Sequence, residues 1–364
     1  MGESMTTAQV EFTEAELLAN HDVSAPLIAG GVRCHGGFTD EGTYVSPRTK
    51  FRVPGVTAWQ DKHRAEFGTE ILHAPLELWP ENFPNLDQAR YLIKSGVNEP
   101  LIATLTRIGT VEGYGANIRL LQPGDLQKYF VEDIKGTAMD HLGRGLFEAH
   151  GRDEAGWEEE AGHKDMWFAA RDVAFDGQRA DIDIEAMLAR MGFGQPGSGI
   201  AVERVLPDDI DANLELIANF MVRVLFIEIS AFHTFKWAEA WLSDEKLVAG
   251  DGKAADLVRY IRADETPHVG YLKTALTEMR DRTWVGTSGA KYKGTEMIDL
   301  IWEKALRQSL VGNRKQSLKA IMGEVEHFCA KRKNGNEIVE GFLALGNPLA
   351  DLENAEAAAS AATY

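Results

Sequence analysis

Four of the ten histidines in this chain follow a glutamate by three positions: Glu70/His73, Glu160/His163, Glu265/His268 and Glu324/His327. On an α-helix, positions i and i+3 share a face, so such a pair can present a carboxylate and an imidazole to one metal ion. What else lies on that face decides whether it does. Through Glu265 the face reads Ala254, Leu257, Ile261, Glu265, His268, Leu272 and Met279; through Glu160 it reads Trp157, Glu160, His163, Trp167, Ala170 and Ala174. Both are core stripes with two ionisable groups in the middle. An unpaired buried carboxylate costs several kcal/mol, so a cation is the expected partner. The other two pairs fail the test. Glu324 and His327 lie opposite the stripe Leu318, Ile321, Met322, Val325, Phe328 and read as a solvated face, and Glu70/His73 runs into Ala74-Pro75, where a helix does not continue.

A two-metal centre built from two such motifs needs one further carboxylate from each of two more helices. Glu228 fits one place, on the face Leu214, Ile217, Met221, Val224, Glu228, Phe232, Phe235. At about 1.5 Å per residue it stands at a similar distance from the turn near Ser243 as Glu265 does from the turn near Gly252, so the two carboxylates can face each other across an antiparallel pair. For the other place Glu112 is the first choice, on the face Leu101, Leu105, Ile108, Glu112, Gly115 and flanked by Gly109 and Gly113. The excursion over residues 122–150 holds its rivals, Glu148 and Glu132. Glu160, Glu228 and Glu265 are the carboxylates expected to carry catalysis.

Glu159-Glu160-Ala161-Gly162-His163 and Asp264-Glu265-Thr266-Pro267-His268 resemble the paired acid-Glu-x-x-His signatures of ferritin-like di-iron carboxylate proteins. That group includes bacterial multicomponent monooxygenases, acyl-carrier-protein desaturases, arylamine N-oxygenases and the small subunit of class I ribonucleotide reductase. The resemblance spans residues 101–282. It implies that Glu160, His163, Glu265 and His268 bind iron; with Glu112 and Glu228 from the helix faces above they would hold two ions, and the donor chemistry leaves a manganese–iron pair as the alternative. It also implies that Glu159 and Asp264 hold ligand imidazoles by hydrogen bonds. Two features depart from the commonest pattern. Pro267 lies inside its motif and removes an amide from the helix ladder. Trp167 stands where reductase subunits often place a radical tyrosine, so a stable tyrosyl radical is excluded there; packing is its expected role, electron relay the alternative. His233 lies about 140° around the helix from Glu228 and reads as a core or ligand-supporting histidine.

A pair of irons can hand electrons to dioxygen, and a lining of Met221, Phe232, Trp167 and Leu272 would admit an organic molecule. The expected function is an O2-activating non-heme di-iron oxidase or oxygenase that hydroxylates, N-oxygenates or desaturates a small, largely apolar substrate, with electrons from a reductase or ferredoxin. The alternatives are a ferroxidase or iron-handling protein, and a non-catalytic helical scaffold in which Glu160, His163, Glu228, Glu265 and His268 form a buried polar network.

The elements that must position these residues show as helical periodicity in residues 101–121, 157–175, 214–241, 257–279 and 298–328, with little strand-like alternation. The expected fold is all-α: a ferritin-like four-helix bundle over 101–282, additional C-terminal helices over 283–350 and a flexible tail over 351–364. Pro26, Pro47, Pro54, Pro75, Pro80, Pro84 and Pro100 crowd the preceding stretch, which argues against long helices before about Asp87 and for an irregular extension over 1–100 packed on the core. Asp208 or Asp209 is the expected cap of the helix after Pro207, and Gly250-Asp251-Gly252 separates that helix from the next.

Composition narrows the field further. The 364 residues carry 38 Lys+Arg against 56 Asp+Glu, a net charge of −18 that repels phosphate backbones and anionic lipid surfaces, so no nucleic acid partner is expected. Cys34 and Cys329 are the only cysteines, which excludes a disulfide framework, a thiolate zinc cluster and a Cys-ligated iron–sulfur site, and suits a reducing compartment. The most apolar segment, 220–241, is interrupted by Arg223, Glu228, His233 and Lys236 and reads as a buried helix rather than a membrane span. A cytoplasmic protein is expected, with a homodimer left open. Gly192, Gly194 and Gly197 spell G-x-G-x-x-G, but Pro196 lies within it and a helical run precedes it, so no dinucleotide site is expected.

Overall fold

The N-terminal hundred residues are more regular than their proline content suggests. In the computed structural model, which describes residues 9–181, 183, 186, 203–312 and 314–353, a short helix α1 (Glu14–Leu17) with a Thr13–Glu16 capping box leads into an antiparallel sheet of β1 (Ala25–Ala29), β2 (Val32–Phe38) and β3 (Tyr44–Val45), in that order. Helix α2 (Arg52–Phe67) then runs for 16 residues. The expectation of no long helix here fails because Pro54 falls in the first turn, where a missing amide costs nothing, and Gly68 ends the helix in the left-handed conformation at φ 68°. Helix α3 (Leu86–Lys94) begins at an Asn85–Gln88 capping box.

Five further helices carry the candidate site: α4 (Glu99–Gly115), continued by a 3₁₀ turn to Leu120, then α5 (Leu146–Ala155), α6 (His163–Ala174), α7 (Ala212–Leu242) and α8 (Lys253–Arg280). The cap of α7 is Asp211, not Asp208 or Asp209: its carboxylate accepts from the amides of Asn213 and Leu214 at 2.9 and 3.1 Å. Asp209 instead binds the Thr287–Ser288 turn. Gly252, at φ 78°, precedes α8 as the glycine pattern suggests, and α8 continues through Pro267. The periodic segment 157–175 is helical only from His163 onward. Beyond α8 come a hairpin, β4 (Thr283–Val285) with β5 (Lys291–Lys293), then α9 (Gly294–Arg307), α10 (Arg314–Cys329) and α11 (Gly335–Ala344). The single helix expected over 298–328 is thus divided, with a π turn at Gln308–Gly312 following α9. Among the described residues 60% are helical and 7% are in strands, mostly helical as expected. The glycine motif with Pro196, and residues 354–364 of the expected tail, lie outside the described residues. Among the described residues no helix is long and apolar enough to cross a membrane.

Two large apolar clusters divide the helical body. One contains Leu214–Ile229 positions of α7 and Tyr271–Met279 positions of α8; the other contains Phe235–Leu242 positions of α7 and Ala254–Ile261 positions of α8. The first half of one helix shares a core with the second half of the other, as antiparallel neighbours do. Between the clusters, α8 buries Asp264, Glu265 and His268 and α7 buries Glu228. Helices α7 and α8 pack together, α6 packs on α4 and α8, and α5 packs on α4.

Candidate metal centre

Helix α5 carries the first surprise. His150 and Glu154 are four residues apart, hence on one face, and both are buried. The helix stops at Ala155 because Gly156 takes φ 83°; Trp157 and Glu160 then exchange backbone hydrogen bonds at 3.0 Å, and Ala161 pairs with β2, accepting from the His35 amide and donating to the Arg33 carbonyl at 2.9 Å each. Gly162 is pressed on this turn so closely that a Cβ would lie 2.3 Å from the Gly156 amide nitrogen. Only then does α6 begin, with His163 as its first residue.

Glu160 and His163 therefore never share a helix face. The Glu160 carboxylate is 31% exposed, 3.6 Å from Arg33, and outside the cluster, which corrects its expected place among the converging side chains: Glu154 faces the cluster instead. Glu159 is exposed and holds no imidazole; Asp153 does that work.

Two groups of four side chains converge, each with one ligand-type atom per residue, all within 4.8 Å of one another. One comprises His150, Glu154, Glu228 and His268, the other Glu112, Glu154, His163 and Glu265. Glu154 belongs to both. His163 turns Nδ1 toward Glu265 at 2.8 Å and Glu154 at 3.4 Å. His268 turns Nδ1 toward Glu265 at 2.6 Å, Glu154 at 3.4 Å and Glu228 at 3.9 Å. His150 turns Nε2 toward Glu228 at 3.3 Å and Glu154 at 3.5 Å, and its ring stacks on His268 with centroids 3.9 Å apart.

The far side of each ring is held. His268 Nε2 donates to Asp153 at 2.9 Å, and Asp153 is itself gripped by Arg48 Nε and Arg52 Nη2, each at 2.6 Å. His163 Nε2 faces Asp264 at 3.6 Å; Asp264 is bound by the Tyr44 hydroxyl at 2.9 Å and contacts His35 Nε2 at 3.0 Å. Thus the acid preceding each buried glutamate supports the imidazole of the other pair. Tyr271 shares a 3.0 Å hydrogen bond with His150 Nδ1. The Trp167 indole donates to Glu112 Oε1 at 3.1 Å, which places Trp167 beside the centre, stacked on Phe235.

The remaining sequence candidates lie elsewhere. Glu148 pairs with Arg152 at 2.7 Å, and Glu132 accepts from the amide and hydroxyl of Thr283 at 2.7 and 2.8 Å. The His233 ring meets the carbonyls of Leu76 and Trp79 at 3.2 and 3.1 Å and makes no contact with the cluster. Met221 and Leu272 belong to one apolar cluster, Trp167 and Phe232 to the other. His150, Glu154, Asp153, His35 and Tyr44 escaped the sequence reading. Two signals pointed to the first three: the His150-x-x-x-Glu154 spacing, and the Asp153-Glu154 dipeptide that repeats Asp264-Glu265. Nothing local marks His35 or Tyr44, which arrive from the sheet.

Does the cluster suit a cation? Buried polar atoms ordinarily find hydrogen-bond partners, yet His150 Nε2, both Glu154 oxygens, both His163 nitrogens and Glu265 Oε1 have none here. All of these but His163 Nε2, which faces Asp264, crowd toward one another within the two groups without lying along hydrogen-bond axes. Electrostatics agree. Burial, reinforced by neighbouring carboxylates, pushes Glu265 and Glu154 well above the usual carboxylate range and Glu112 up to about 7. Burial and the adjacent His150 push His268 down to about 3. Burial opposes charge on His163 too, but the Glu265 and Glu154 carboxylates outweigh it and hold that ring well above its ordinary value. Four carboxylates cannot all be charged here without positive ions, and oxygen and nitrogen donors without thiolate suit iron or manganese.

Helix α4 reaches this cluster through glycines. A Cβ on Gly115 would lie 2.8 Å from Cγ and Cδ of Glu154, whereas one on Gly113 would meet only the Lys164 side chain. Gly115→Ala should therefore displace the shared carboxylate and cut bound metal by about half or more, while Gly113→Ala keeps it. Metal analysis of the two variants decides; equal metal content would remove Gly115 from the argument.

No protein-family model, curated protein or solved structure matches this chain.

Proposed function

We propose that the cluster holds two metal ions and that the protein is an O2-activating non-heme oxidase or oxygenase, di-iron or manganese–iron, acting on a small, largely apolar organic molecule. The observation that carries this reading is the sharing of Glu154 between two converging groups in which His150 Nε2, both Glu154 oxygens, His163 Nδ1 and Glu265 Oε1 are buried without a hydrogen-bond partner in the protein. When bound, such a metal pair supplies dioxygen with electrons that side chains cannot provide.

The chain's own residues do the rest. Asp153 and Asp264 orient His268 and His163 so that Nδ1 of each faces the centre. Trp167 holds Glu112 through Oε1 and so keeps that carboxylate beside Glu154, His163 and Glu265. Phe232 and Phe235, packed edge to face at 5.8 Å beside Trp167, keep that flank dry and suit an apolar substrate. In this proposal α4, the interrupted rod α5–α6, α7 and α8 form a ferritin-like bundle, since each contributes at least one of the converging side chains. An electron-donating reductase or ferredoxin completes the reaction, and the two free, buried cysteines fit a cytoplasmic setting.

The test is reloading of metal-free protein with iron(II). About two irons per chain are expected by metal analysis and Mössbauer spectroscopy, with oxygen consumption coupled to oxidation of an apolar probe when reductant is added. Sustained iron oxidation with mineral formation and no organic product would replace the reading with a ferroxidase, and near-zero metal binding would leave a structural polar network.

A further inference from the structure

The two groups are not equivalent. The one containing His150 offers two imidazoles and two carboxylates; the one containing Glu112 offers one imidazole and three carboxylates, with Glu154 counted in both. Their surroundings differ in the same sense. Behind His268, the Asp153 carboxylate is neutralised by two buried guanidiniums, Arg48 and Arg52. Behind His163, the Asp264 carboxylate is held by a phenol and an imidazole, Tyr44 and His35. Arg48 also touches His35 at 3.4 Å, but its short contacts are with Asp153.

From these differences we infer that the centre discriminates between metals: the position framed by His150, Glu154, Glu228 and His268 selects iron(II), and the position framed by Glu112, Glu154, His163 and Glu265 selects manganese(II). This rests on the two-metal reading and specifies it. Imidazole donors favour iron over manganese, whereas manganese is the better match to an oxygen-rich, more anionic site. His150 is the residue that makes the difference. It adds a nitrogen donor from the same helix face as the shared Glu154, and Tyr271 holds the opposite edge of its ring so that Nε2 faces the cluster. Without His150 the two positions would each offer a single imidazole.

The experiment is to load the metal-free full-length protein anaerobically with about one equivalent of iron(II) and about ten of manganese(II), crystallise it, and collect anomalous diffraction at both absorption edges. The iron-to-manganese ratio at the His150 position should exceed that at the Glu112 position by about tenfold or more. His150→Gln, which exchanges the imidazole for an amide oxygen, should bring the two ratios within about threefold of each other. Metal bound at both positions with equal or reversed ratios in the native protein overturns this proposal and leaves the two-metal reading standing. A His150→Gln protein with unchanged discrimination overturns the role of His150, and absence of metal from both positions overturns the proposal and the reading beneath it. Should the variant fail to fold, the native ratios decide by themselves.

Discussion

Glu154→Ala is expected to empty both metal positions at once, while Glu160→Ala leaves them filled. Glu154 is 1% exposed and belongs to both converging groups; Glu160 lies at the surface beside Arg33. Losing a residue that merely supports a ligand typically weakens metal binding by about 10–100-fold. Loss of a carboxylate facing both positions should exceed that at each, so metal content should fall from about two ions per chain to well under one. The stability of the metal-free protein separates this from misfolding. Without metal, Glu154 is crowded by three other carboxylates, and Glu154→Gln should leave metal-free stability unchanged or raised because it removes an acid whose charged form burial disfavours. Stoichiometric metal in Glu154→Ala would refute the assignment, and metal loss in Glu160→Ala would return Glu160 to the centre.

Asp153→Asn should be the costliest single-atom change in this region. The carboxylate lies with no exposed surface between Arg48, Arg52 and His268, and strong attraction from the guanidiniums overcomes burial to hold its pKa well below the usual range. An amide there leaves two positive charges in the interior without their counter-ion. Breaking a buried ion pair in this way typically costs about 3–5 kcal/mol. Asp264→Asn offers the internal comparison: its partners are the Tyr44 hydroxyl and the His35 and His163 rings, with no guanidinium among them, so about 1–3 kcal/mol is expected, the range for a buried hydrogen bond left unmade. Denaturant midpoints of the metal-free proteins measure both. A loss below about 1 kcal/mol for Asp153→Asn would show that the arginines find other partners.

Much of the site's raw material is legible without coordinates. The apolar stripes around Glu228, Glu265 and His268 locate α7 and α8 because a residue's burial on a long uninterrupted helix follows from its angular position alone. Glu112 is legible for a second reason: the glycines beside it announce a close approach, and Gly109 does face Trp167, where a Cβ would lie 2.9 Å from the indole's own Cβ. The failures have equally definite causes. The proline argument against helices before Asp87 counted residues and overlooked position, since Pro54 falls where α2 needs no amide.

The types of donor and the two longest helices, which carry Glu228, Glu265 and His268, were legible in the order of residues, because hydrophobic periodicity acts within one helix and needs no knowledge of its neighbours. Which carboxylate joins His163 was settled only by the folded chain. The i, i+3 rule assumes an unbroken helix, and the break at Gly156–Gly162 is held by pairing of Ala161 with a strand more than a hundred residues earlier, as are the Tyr44 and His35 contacts to Asp264. Contacts between segments so far apart depend on packing of the whole body, and no local pattern encodes them.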